Sequence, residues 1–316
     1  MQAIAYATLK QHALLGKVHR EFRNSLLAAY EQNLEKNRSY FKCVQYVSDI
    51  LSTCALPCAM LKGAVLCRYY PEGYRTSNDI DLLVLPEHVT EIGRLLIEAG
   101  FQQGNVRNGE FIPATRKEII ESKMMRGETV PYIKQVNLPQ MKYLEVDINF
   151  SLDYKNANGQ ELQQMLGRAC VKNCQGMQIP TLSDVDFFIH LCGHLHKEAT
   201  TMPWVEMMRD MTLYKYCDVY MLLNDMSIEE IDHIFERAHE LGLGDICAFA
   251  IMQTAELFDM EKTYAIQFSE QVLADCPNFL HTVISPKDKQ SFVYTKANVK
   301  DRFFADNRVC LLKKEV

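Results

Sequence analysis

Asp79 and Asp81 stand one residue apart in the apolar run Asp79-Ile80-Asp81-Leu82-Leu83-Val84. In a strand, alternate residues point to the same face, so the two carboxylates project side by side. Anions held that close repel, and a buried strand gains nothing from carrying them unless a cation lies between. Carboxylate oxygens suit magnesium, and the pair reads as a magnesium site. A third carboxylate comes from Lys142-Tyr143-Leu144-Glu145-Val146-Asp147-Ile148-Asn149-Phe150. Its alternation puts Leu144, Val146, Ile148 and Phe150 on one strand face and Glu145, Asp147 and Asn149 on the other. Asp147 is the natural third ligand, and Glu145 reads as a solvated rim residue.

The elements that must hold these acids are legible on either side. The short apolar run from Leu56 to Leu61 meets Gly63 and then a helix-compatible stretch reaching about Tyr70. A glycine at a strand-to-helix turn lets a phosphate approach the backbone, and the helix start offers N–H groups to it. Lys62 adds a point charge there, either for a phosphate or as an exposed turn lysine. Arg75 has two open readings: it orients Asp79, or it touches an anionic substrate.

A small-residue turn opening a helix, an acid-apolar-acid strand and a third acid on a neighbouring strand together resemble the nucleotidyltransferase superfamily typified by DNA polymerase beta. More narrowly, Leu61-Lys62-Gly63-Ala64, Tyr70-Pro71, Arg75, the Asp79 to Val84 strand and His190-Leu191-Cys192-Gly193-His194-Leu195-His196-Lys197 are similar to an uncharacterised bacterial nucleotidyltransferase family. The resemblance spans about residues 40–225. It departs at Ala64, which lacks a hydroxyl for phosphate, and at Asn149, where relatives often carry His.

The resemblance implies an α+β fold, with a nucleotidyltransferase core of mixed β-sheet and flanking helices plus a mostly helical second domain. It implies transfer of NMP, with AMP from ATP the first candidate, to a small-molecule or peptide acceptor with release of pyrophosphate. Two Mg2+ ions would clamp the attacking and leaving oxygens. Asp79, Asp81 and Asp147 would be the catalytic and metal-binding carboxylates. Lys62, Gly63, Ala64, Arg75, His194 and Lys197 would contact the nucleotide.

The segment Ser183 to Lys197 is a second constellation. Thr181 or Ser183 followed by acids signals a helix start. At helical spacing, Asp186, His190, His194 and Lys197 form a polar stripe, and Phe187, Leu191 and Leu195 an apolar one. Three readings stay open: zinc on His190 and His194, histidines satisfied within a helix interface, or a substrate role for His194 and Lys197. Farther on, Trp204 to Leu223 reads as one long helix, whose Lys215 and Asp218 either join the site or form a surface pair. Arg116, Lys117, Lys123 and Arg126 gather positive charge around a helix expected from Glu110 to Glu121.

With 316 residues and 48% hydrophobic content the chain can bury a full core in two domains. A net charge of -6 without a dominant basic run argues against nucleic acid as the main partner. Eleven cysteines lack a CxxC framework, and Cys43, Cys54, Cys58, Cys67, Cys192 and Cys217 sit in apolar contexts as small hydrophobes. With neither a signal peptide nor an apolar run of about eighteen residues, the expectation is a reducing cytoplasm and no membrane partner.

The organisation expected is a helical segment over 1–52, with Leu14, Leu15, Val18, Phe22, Leu26 and Leu27 packing on the core. A catalytic core follows over 53–155, then an irregular linker over 156–180 with its break at 156–159. A helical domain covers 181–282, and an irregular tail 283–316. Besides the transferase, two alternatives remain: a non-catalytic nucleotide-binding or antitoxin-like regulatory protein, and an enzyme that modifies a partner protein. The acceptor, the nucleobase and the oligomeric state leave no readable signal.

Overall fold

The computed structural model describes residues 2–125, 127–152, 160–174, 176–276, 278–296 and 298–315. Arg126 and the break expected at 156–159 lie outside them. The described chain divides into two units, residues 2–152 with 160–183, and residues 184–315.

The first unit opens with α1 (Gln2–Gln11) and the 33-residue α2 (Arg20–Ser52). Leu26, Tyr40, Cys43, Val44, Val47 and Leu51 bury one stripe of α2 at helical spacing. Leu14, Leu15 and Val18 do not extend that stripe, because Ala13 takes φ +55 and breaks the helix ahead of them. Leu14 and Phe22 stay exposed.

Next come β1 (Cys58–Met60), α3 (Gly63–Leu66), β2 (Asp79–Val84), α4 (Val89–Glu98), β3 (Gln102–Arg107), β4 (Glu110–Pro113), α5 (Arg116–Met125), β5 (Tyr132–Leu138) and β6 (Met141–Asn149). Among the described residues the strands form one mixed sheet of order β1-β2-β6-β5-β3-β4, with β2 and β6 parallel and the other neighbours antiparallel. Ile80, Leu82, Leu83, Leu144, Val146 and Ile148 are sealed from solvent, as the interior of a sheet containing a parallel pair requires.

The helix expected from Glu110 to Glu121 is a strand followed by a helix. Asn108 and Gly109, at φ +52 and +78, form a two-residue turn that folds β4 back on β3. Pro113 then closes β4, and α5 starts only at Arg116.

The linker over 156–180, expected to be irregular, instead holds in its described part α6 (Gln160–Gly167) and a hairpin of β7 (Cys170–Cys174) and β8 (Met177–Thr181), whose last residue was expected to open the helical domain. The hairpin is tied to the core by side chains: Thr181 Oγ1 donates to the Met60 carbonyl at 2.7 Å, and Ser48 Oγ to the Gln178 carbonyl at 2.6 Å.

The second unit contains α7 (Asp184–Ala199), α8 (Met202–Glu206), α9 (Leu213–Leu223), α10 (Ile228–Glu240), α11 (Gly244–Phe258) and α12 (Tyr264–Val272). The single helix expected from Trp204 to Leu223 is interrupted where Met208 takes φ +57. Ser227 and Glu230 close a reciprocal capping box at the start of α10.

The tail is not irregular. It forms β9 (Thr282–Ser285), β10 (Gln290–Tyr294), α13 (Val299–Phe303) and β11 (Leu312–Lys314), with the strands in the order β11-β10-β9. Its anchor is buried charge. Arg308 donates to Asp210 Oδ1 at 2.8 Å, Tyr294 OH to Asp210 Oδ2 at 3.3 Å, and Arg302 to Gln253 Oε1 at 2.9 Å. Removing one partner of such a buried pair leaves an uncompensated charge, a loss of about 3–5 kcal/mol.

The fold is thus α+β, a mixed-sheet unit and a mostly helical one. No helix of the described residues is long and apolar enough to cross a membrane. Thr181→Val keeps the shape of the side chain and removes its buried hydrogen bond to Met60. Chemical denaturation of this variant is expected to register a loss of about 1–2 kcal/mol. Unchanged stability would mean that the hairpin is not anchored through this residue.

Candidate active site

The parallel register of β2 and β6 sets Asp79 beside Glu145 and Asp81 beside Asp147. Alternation along each strand turns all four carboxylates to one face of the sheet, and Ile80, Leu82, Val146 and Ile148 to the other. Neighbouring strands are about 4.8 Å apart. At that spacing two full charges repel by roughly 3–4 kcal/mol at an effective dielectric near 20.

Protonation relieves the repulsion. Burial, then the charges of Asp81, Glu145 and Asp79, push the Asp147 carboxyl up to about 8. Burial, Asp79 and Asp81 push Glu145 up as well. Glu145, expected at the solvated rim, is therefore a half-buried fourth member of the acid group. Among the described residues no three His, Cys, Asp or Glu side chains already stand in an arrangement that could hold a metal ion.

The surroundings supply the counter-charge and the framing. Lys62 Nζ meets Asp81 Oδ1 at 2.7 Å, and the Leu61 N–H donates to the Asp81 carbonyl at 2.9 Å. Lys62 itself takes φ +44, a conformation that L side chains rarely adopt. Gly63 and Ala64 follow it, buried, as the start of the four-residue α3.

A Cβ on Gly63 would meet Ser77 Cβ at 2.8 Å and Tyr40 Oη at 2.9 Å, so the missing side chain is required by close packing. Both of those neighbours hold Asp79. Ser77 Oγ donates to Asp79 Oδ1 at 2.5 Å, and Tyr40 OH to the Asp79 carbonyl at 2.9 Å. Arg75 donates to the Thr76 carbonyl at 2.7 Å.

One face of α2 steadies the loop that leads into β2. Asn33 donates to the Gly73 carbonyl at 3.2 Å and Asn37 to the Arg75 carbonyl at 2.8 Å, with Tyr40 a turn further on. Lys36 lies on the same face. Sequence reasoning missed Ser77, Tyr40, Asn33, Asn37 and Lys36. Ser77 had a signal, since it stands two residues before Asp79 as Asp79 stands before Asp81. The α2 residues had none, because helical spacing names a face but not what the face meets.

The second unit carries His194 and Lys197 on α7. His194 Nε2 lies 3.2 Å from Glu198 Oε1 and 3.2 Å from Lys215 Nζ, and Lys215 also pairs with Glu198. Asp186 is fully buried against Arg237, and His190 is buried. The expected polar stripe is therefore largely internal. His196 stacks on Phe279 at 5.3 Å and meets Phe249 edge-on at 4.9 Å, and burial lowers its imidazole to about 4.

Asp147 gives a pH signature. Its carboxyl is raised in the folded chain, so between about pH 4 and 8 the native state holds a proton that the unfolded state has lost, and the resulting stability disappears as pH rises through 8. Asp147→Asn removes the titration. In EDTA its melting temperature is expected to match wild type near pH 4, then to exceed it by an increasing margin that reaches several degrees near pH 9. Parallel curves would contradict this.

An antigenic nucleotidyltransferase-like protein from Paracoccidioides brasiliensis is 13% identical, covering 65% of this chain and 90% of its own, with a TM-score of 0.37. The antibiotic-resistance factor ANT(2'')-Ia is 11% identical, covering 66% of this chain and 96% of its own, with a TM-score of 0.38. No curated protein matches the chain. The model of a family described as uncharacterised nucleotidyltransferases matches residues 1–259, and the chain belongs to that family.

Proposed function

We propose that the chain is a magnesium-dependent nucleotidyltransferase that moves NMP, with AMP from ATP the first candidate, onto a hydroxyl or amine of a small molecule or peptide. The observation that carries the reading is the group of four carboxylates in register on β2 and β6, one of them pushed up to about 8 by burial and by the other three. Oxygen donors crowded to the point of protonation fit a hard divalent ion, which relieves the same repulsion. Asp79, Asp81 and Asp147 would hold the ions. When bound, the ions supply charge stabilisation at the attacking and leaving oxygens.

The chain's own residues do the rest. The Lys62 ammonium, paired with Asp81 at 2.7 Å, would supply positive charge to the phosphates. Gly63 and Ala64 offer their amides, and Arg75 its guanidinium, to the departing phosphates. Asp147, once deprotonated, accepts the acceptor's proton at its carboxylate oxygen. Ser77 and Tyr40 keep Asp79 from turning away. The proposed nucleotide contacts of His194 and Lys197 rest on the family resemblance.

The test is transfer of label from α-labelled ATP, GTP, CTP or UTP with magnesium and a mixed pool of hydroxyl and amine compounds, with pyrophosphate release followed in parallel. Wild type is expected to release pyrophosphate with one preferred nucleotide, and Asp79→Asn and Asp81→Asn to lose roughly a hundredfold or more of kcat. Equal turnover in the variants would overturn the reading.

A further inference from the structure

Lys36 is a half-buried cation on α2. Asn33, Asn37 and Tyr40 tie this helix face to the carbonyls of Gly73, Arg75 and Asp79. Three residues after Asn33 and four before Tyr40, Lys36 lies within the same stripe of the helix surface. Its side chain is half-buried, and among the described residues it makes no ion pair, whereas its exposed neighbour Arg38 pairs with Glu72 at 2.8 Å. Burial lowers its ammonium, and the charge acting against that is the Asp79 carboxylate. A desolvated ammonium without an ion pair costs stability, so an anion arriving beside Asp79 would supply the missing partner.

We propose that Lys36 binds the β,γ-phosphate portion of the nucleotide and receives the leaving pyrophosphate, a role that rests on the transferase reading above. In that reaction the bond from the acceptor oxygen or nitrogen to the α-phosphorus forms as the bond from that phosphorus to the β-bridging oxygen breaks. The electron pair leaves on pyrophosphate, and the acceptor's proton goes to the carboxylate base. The charge gained by pyrophosphate is what a second lysine answers. Beside Lys62, which pairs with Asp81 at 2.7 Å, Lys36 gives the site a second cation from a separate element.

Magnesium pyrophosphate is a probe that does not depend on the nucleobase. Calorimetric titration into wild type, Lys36→Met, Lys36→Gln and Lys36→Arg, each first checked in EDTA for a cooperative melt no lower than that of wild type, separates the outcomes. The proposal expects the Met and Gln variants to bind roughly tenfold or more weakly, Arg to stay within about threefold of wild type, and magnesium alone to bind all four alike. If wild type binds and Met and Gln bind as tightly, Lys36 is structural and the proposal falls while the transferase reading stands. If wild type itself does not bind, the transferase reading fails and takes the proposal with it.

Discussion

Repulsion among four carboxylates on two adjacent strands is the constraint from which the rest of the first unit follows. A parallel register cannot separate Asp79 from Glu145 or Asp81 from Asp147, because each pair is locked by backbone hydrogen bonds. Relief has to come from protons, a lysine or a metal. The chain itself supplies the first two: burial and its neighbours raise the Asp147 carboxyl to about 8, and Lys62 leans on Asp81 from a backbone at φ +44. A fold selected only for stability would replace these acids, since apolar pairs in a buried parallel sheet cost nothing comparable.

The long helix α2 is the brace that keeps the acids where they are. Its side chains reach the backbone at Gly73, Arg75, Asp79, Ala99, Pro139 and Gln178, so a single rigid element fixes both the entry to β2 and the hairpin beyond β6. Those bonds go to carbonyls; the carboxylates are met instead by Ser77 at Asp79 and by Lys62 at Asp81. In the second unit, charge is used differently. Asp210 with Arg308 and Asp186 with Arg237 are sealed pairs that join tail to helices and helix to helix.

Much of this was written in the sequence at short range. Asp79-Ile80-Asp81 and the alternation from Leu144 to Ile148 announce two strands and their polar faces, because a period of two has one structural meaning. What the sequence does not carry is which strand lies beside which, and Glu145 was misjudged for that reason: rim or centre depends on whether Asp79 is its neighbour. Asn108-Gly109 was a readable turn signal that the helical look of the following residues obscured. The tail's strands were illegible because their apolar residues take meaning only from the helices of their own unit. The His194 stripe was read correctly as one helix face, but the partners Glu198 and Lys215 decide what that face does, and Lys215 lies on a different helix.

The central claim is that the acid group is a divalent-cation site. Electron paramagnetic resonance of Mn2+ titrated into the protein with a non-hydrolysable ATP analogue tests it directly, by comparing wild type with Asp81→Asn. The account predicts two tightly held ions per chain in wild type and a weakening of roughly a hundredfold in the variant. Equal Mn2+ binding by the two proteins, or none in wild type, would contradict it.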